Sequence, residues 1–160
     1  MKISAVFCFL ILSHATFLSA QITIDVSAFG ALPNDGGAKG AVKAGDDTQA
    51  FKNAIAAAKA TSGPVTLLVP PGVYDFYPDD ATTRACFTSN STETGSHGVK
   101  TLALDLVDVD DLTISGTGAT FMMRGKMTMF VAEKCENLTL KGVTFDFKRP
   151  TMSELKVTEK

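Results

Sequence analysis

Apolar and polar positions alternate in short bursts along most of this chain, and only one stretch keeps a helical period. Ile22-Thr23-Ile24-Asp25-Val26 alternates strictly, which predicts a strand with one buried face. Phe29-Gly30-Ala31 follows, and then a loop from Asn34 to Gly45 too rich in glycine to be regular. Phe51, Ala54, Ile55 and Ala58 fall at i, i+3, i+4 and i+7, giving an Ala-rich amphipathic helix of about four turns that Ser62-Gly63-Pro64 ends. Asp46-Asp47-Thr48 precedes it with oxygens suited to the free amides of a first turn, so these residues read as helix caps rather than a cation site. Val65 to Val69 predicts a short apolar strand, buried on both sides or lying across the end of something larger. Pro70-Pro71-Gly72 turns the chain, Val73 to Phe76 predicts another strand, and Tyr77 to Gly98 is a polar excursion expected to be a surface loop.

The second half repeats. Asp111-Leu112-Thr113-Ile114-Ser115-Gly116 returns as Asn137-Leu138-Thr139-Leu140-Lys141-Gly142, a period of 26 residues. Each copy runs on into an alternating strand, Ala119 to Met123 in the first and Val143 to Phe147 in the second. A period of about 20 to 50 residues marks a solenoid, and strand, glycine turn, strand without a helix makes it a β-solenoid. One such unit cannot bury its apolar side chains alone, whereas units stacked about 4.8 Å apart join them into ladders. Leu112 is therefore expected over Leu138, Ile114 over Leu140, and Val109 over Cys135. The fold class expected is all-β, a right-handed parallel β-helix whose open amino-terminal end the helix covers. The expected organisation is a signal peptide over 1–20, a cap of strand plus helix over 21–62, and the first units of the stack over 63–160. The pattern restarts at Leu155-Lys156-Val157 and stops at Lys160, so the stack is expected to be truncated there.

The first segment changes the picture of where the protein works. Met1-Lys2, an apolar run from Ile3 to Ser13, and small residues at Ala15, Ser19 and Ala20 form a secretory signal too short to span a membrane, with cleavage expected after Ala20 and, second, after Ala15. A secreted or periplasmic protein without a membrane span follows. The net charge of −2, with signs interspersed, offers no basic stripe for nucleic acid. Cys8 leaves with the signal; Cys86 and Cys135 remain, and the ladder position of Cys135 favours a buried thiol over a disulfide. His97 is the one histidine past the signal and no Cys-x-x-Cys occurs, so no metal or other cofactor is expected. Asp105, Asp108, Asp110 and Asp111 crowd one region but lack a calcium-loop order and read as a solvated turn. Met122, Met123, Met127 and Met129 read as core filling. Asn90-Ser91-Thr92 and Asn137-Leu138-Thr139 match the glycosylation triplet, the second in a ladder strand where a glycan fits poorly.

Two resemblances rest on particular residues. Val26 with Phe29-Gly30-Ala31, then Asp46-Asp47-Thr48 with Ala50, Phe51, Ala54 and Ile55, then Val69 to Tyr74, resembles the opening of the pectate-lyase-like β-helix superfamily. That resemblance implies the fold and leaves function open. Tyr74 to Asp79, Leu112 to Gly116 with Ala119-Thr120-Phe121, Gly125 to Phe130, and Asn137 to Leu140 with Phe145 to Pro150 and Met152-Ser153 are similar to the start of glycoside hydrolase family 110. Lys126 stands where that family's pattern has Arg, and Phe147-Lys148 where it has Trp-Glu. The resemblance implies an exo-acting, metal-free enzyme that releases terminal α-1,3-linked galactose with inversion, acting on a galactose-terminated glycan. It also implies that the catalytic aspartates fall after Lys160, so the chain alone is expected to be inactive.

Inversion needs two carboxyl groups about 6.5 to 9.5 Å apart, one acid and one base. Among residues present, Asp146 is the local candidate because alternation with Phe145 and Phe147 turns it outward, and Arg149 just beyond could fork onto a hydroxyl; both are assigned to substrate binding. A solvated ion pair is the plainer reading of the two. The rival functions are a polyuronide lyase or polygalacturonase-like hydrolase, which would cluster Lys and Arg in its groove, and a non-catalytic adhesin or tailspike module, which would carry aromatic platforms. Tyr74 and Tyr77 are the only tyrosines and there is no tryptophan, which weakens the last.

Overall fold

The computed structural model describes residues 21–34, 45–87 and 98–149. The expected signal over 1–20, most of the glycine-rich loop, Asn90-Ser91-Thr92 with His97, and the stretch from Pro150 to Lys160 lie outside the described residues. What is described is mostly strands, in one parallel and one mixed sheet, with one α-helix.

The larger sheet is built of strands laid in register. β1 (Ile22–Asp25) pairs parallel with β2 (Val65–Leu68), and β2 with the first part of β6 (Leu112–Met123), Val65 facing Leu112 and Leu67 facing Ile114. β3 (Gly72–Phe76) pairs with the second part of β6, Tyr74 facing Phe121. β8 (Thr139–Phe147) runs along the opposite edge of β6, with Ile114 facing Leu140 and Phe121 facing Phe145. The second sheet holds β5 (Val99–Val107) between parallel β7 (Thr128–Glu133) and antiparallel β4 (Thr82–Ala85). The predicted superposition of Ile114 on Leu140 is present, and Thr113 faces Thr139, which carries Leu112 and Leu138 into the same row.

Turns repeat with the strands. Asp108 and Asp111, between β5 and β6, and Lys134 and Asn137, between β7 and β8, all have positive φ (50°, 52°, 54° and 55°). Side chains climb this stack of turns: the Glu136 amide donates to Asp110 and the Asn137 Nδ2 to Asp111, each across 26 residues. Of the triplet that the repeat placed in a ladder strand, Thr139 begins β8, while Asn137 lies exposed in the turn before it. At the bend in β6, pairing skips from Ser115 with Lys141 to Ala119 with Val143, because Gly116 to Gly118 make the upper corner and Gly142 the lower. Gly142 has φ of 70° and a Cβ there would stand 2.9 Å from the Thr117 backbone, so the corner excludes any side chain.

Helix α1 (Thr48–Lys59) has 12 residues, just over three turns rather than four, since the chain leaves helical pairing before Ser62. Phe51, Ala54, Ile55 and Ala58 are buried as the period required. Phe51 meets Tyr74, Phe76 and Phe121 at ring centroids of 5.4, 5.1 and 4.9 Å, joining the helix to both layers of the ladder beneath it.

Three expectations need correcting. Of the two arrangements expected for β2, burial on both sides is absent: Val65 and Leu67 are buried in the core shared with α1, while Leu68 on the other face is 41% exposed. The polar excursion is not all loop: Thr82–Ala85 closes the free edge of β5, and the long stem of Arg84 reaches across to Asp105. Asp47 does not cap the helix with its side chain; Asp46 does, accepting from the Thr48 amide at 2.9 Å. No helix among the described residues is long and apolar enough to cross a membrane.

Candidate functional site

The parity of β3, β6 and β8 decides which side chains leave the core. Tyr74, Phe121 and Phe145 point inward in one row, so the next row, Asp75, Met122 and Asp146, points out. One step further, the Arg124 amide donates to the Phe76 carbonyl and the Lys148 amide to the Met123 carbonyl, which extends pairing past the strand ends. Asp146 and Arg149 are both exposed, as alternation required for Asp146. No hydrogen bond or ion pair joins these two among the described residues; the Asp146 Oδ1 accepts from the amide of Phe147 at 2.7 Å.

Asp75, at the other end of that row, differs in every respect. It is 2% exposed and both its oxygens are taken by Arg124, from Nε and Nη2 at 2.7 Å each. A forked, charge-assisted pair of this kind offsets the cost of burying the carboxylate. The bonding to Asp75 also raises the Arg124 pKa above its ordinary value, so the guanidinium is permanently charged. Asp47, equally buried, accepts from the amides of Leu32 and Asp75 at 2.9 Å each, while its own amide donates to the Asp75 carbonyl at 2.8 Å. Thr48 accepts from the Tyr77 amide at 3.0 Å. Besides the cap made by Asp46, this segment is a clasp that fastens the start of α1 to β3.

Nothing in the sequence reading pointed to Arg124. The available signal was a charged residue, Asp75, set between Tyr74 and Phe76 in a strand whose register places Arg124 just past its partner strand. Chemically the patch offers one free carboxylate, Asp146, and one rigid guanidinium, with exposed Lys148 and Arg149 beside them. That set suits recognition of neighbouring hydroxyls. The other carboxylate of the row, Asp75, is bonded to Arg124 on both oxygens.

The remaining candidates resolve into structural roles. Asp105 belongs to β5, where Arg84 holds it from Nη2 at 3.0 Å and also binds Glu133 at 3.1 Å; the bond to Asp105 raises the Arg84 pKa. Asp110 and Asp111 serve the stacked turns, and Asp108 lies near Lys59 at 4.0 Å. Cys86 is buried and Cys135 half-buried, both free, and the Cys135 thiol donates to the Leu106 carbonyl at 3.2 Å. Met123 and Met127 are buried, and Met129 packs against the core; Met122 instead sits in the outward row between Asp75 and Asp146.

No family model matches the chain. Curated proteins do. The chain is 34% identical over 159 residues, 94% of its length, to the "Alpha-1,3-galactosidase A" of Bacteroides fragilis strain YCH46. It is 30% identical over 153 residues, 96% of its length, to the "Alpha-1,3-galactosidase B" of Phocaeicola vulgatus. A match at 35% over 105 residues links it to the "Alpha-1,3-galactosidase A" of Bacteroides thetaiotaomicron. The chain spans about a quarter of the length of the first two, 23% and 24% respectively.

Proposed function

We propose, from the premise that this chain is a homologue of the amino-terminal part of the α-1,3-galactosidases of glycoside hydrolase family 110, that it forms the capped start of an exported exo-galactosidase. The single observation carrying this reading is the identity of about a third with proteins of that name along nearly the whole chain. The architecture that goes with it is a right-handed parallel β-helix, and the in-register pairing of β2, β6 and β8 supports it. The substrate is a glycan ending in α-1,3-linked galactose, cleaved with inversion by carboxyl groups contributed outside the residues described here. Asp146 and Arg149 contact sugar hydroxyls, and the segment 1–20 directs export to the periplasm or medium.

Adding α-1,3-linked galactobiose to this chain alone releases no galactose, because the Asp146 patch lacks a second free carboxylate. The complete gene product releases galactose whose first-formed anomer, read by proton NMR, is β. An α anomer at first release would contradict inversion. Cleavage of polyuronides to unsaturated products would contradict the family reading itself.

A further inference from the structure

Arg124 is the one guanidinium near the outward row whose orientation is fixed from inside the protein. Buried Asp75 grips its Nε and Nη2 at 2.7 Å, while Nη1 makes no hydrogen bond among the described residues. The side chain is 22% exposed against 3% for its partner, so the pair has a closed end at Asp75 and an open end at Arg124. Asp146 lies on the neighbouring strand, opposite Met122 and hence two residues before the level of Arg124. Asp75 and Asp146 flank Met122 from opposite edges of β6, two strand spacings or roughly 10 Å apart, and Arg124 held to Asp75 faces Asp146 across that gap, wide enough for a pyranose ring with its hydroxyls. A surface arginine without such a grip would lose side-chain entropy on meeting a hydroxyl; this one is already ordered.

We propose that Arg124 is a sugar-hydroxyl-binding residue of the Asp146 patch and that Asp75 is the positioning residue which holds its free edge outward. This rests on the reading of that patch as a carbohydrate contact and goes beyond it by assigning the donor and its support. A purely architectural pair, serving only to fasten the clasp at Asp47, would leave Arg124 indifferent to ligand.

The test is a titration of the full, arginine-labelled chain with α-1,3-linked galactobiose, following the Nε–Hε resonance of Arg124 and the amide of Phe147 by NMR. Both are expected to shift saturably with one dissociation constant. In a mutant cycle, Asp75→Asn weakens binding about fivefold, the worth of one hydrogen bond, and has no further effect beside Arg124→Lys. Shifts at Phe147 with a silent Arg124 would overturn this proposal and leave the patch standing. Silence at both would remove the patch and the proposal together. Additive losses in the cycle would also overturn it, since Asp75 would then not act through Arg124.

Discussion

β6 and β8 carry nearly the same inward side chains and live in different surroundings. Leu112, Ile114 and Phe121 of β6 are fully buried, while their counterparts Leu138, Leu140 and Phe145 are only partly so. Val109 and Cys135 repeat the contrast in the turns. The difference is position in the stack: β6 is paired on both edges, by β2 and β3 on one side and β8 on the other, and α1 plugs the aromatic cluster above it. β8 has a described neighbour on one edge only. Burial in such a ladder is a property of the neighbours, and the same residue contributes more in the middle than at the end.

The largest consequence is in the aromatic row. Phe121→Ala removes a ring packed against Phe51, Tyr74, Phe76 and Phe145 and is expected to cost about 3–5 kcal/mol in denaturant unfolding. Phe145→Ala, one strand further out, is expected to cost about half of that or less. Equal losses would break the comparison.

The ion pairs sort the same way. Arg124→Ala leaves the Asp75 carboxylate buried without a partner and is expected to cost about 3 kcal/mol or more. Arg84→Ala, whose partners Asp105 and Glu133 lie nearer solvent, is expected to cost about 1 kcal/mol or less. Denaturation midpoints of the two variants rank them directly.

A smaller effect follows from the clasped end alone. Burial first, and then the nearby charges of Asp47 and Asp25, push the Tyr74 phenol from 10.0 to about 12. A pKa raised on folding favours the folded state fully below pH 10, and that contribution is lost as pH climbs to about 12. Thermal stability is therefore expected to fall across this window, and Tyr74→Phe, which keeps the ring and loses only the bond to the Pro70 carbonyl, is expected to flatten the slope. The smallest change belongs to the turn stack: Asn137→Gly relieves a left-handed φ while losing the bond to Asp111, and these nearly cancel within about 1 kcal/mol.

The ladder was legible in the sequence because a strand's parity and a repeat's period are both carried by residue type. Leu112 to Ile114 and Leu138 to Leu140 announce their own superposition. The helix was legible from its stripe. What sequence reading lost were the features made by residues distant along the chain. The strand at Thr82–Ala85 hides in polar surroundings because only an antiparallel partner at β5 gives it pairing. Asp47 looks like any helix cap until β3 brings the Asp75 amide to it. The pairing of Asp75 with Arg124 crosses 49 residues and depends on a register that neither residue reveals. Asp146 was found outward because alternation is local; its larger setting was not.

Residue-resolved amide hydrogen exchange tests the stacking most directly. A parallel strand bonded on both edges engages every amide, whereas one bonded on a single edge engages alternate ones. The account predicts continuous protection along β6 away from its glycine corner and a period-two pattern along β8. Alternating protection in β6, or fast exchange of both strands throughout, would contradict the ladder and the reading built upon it.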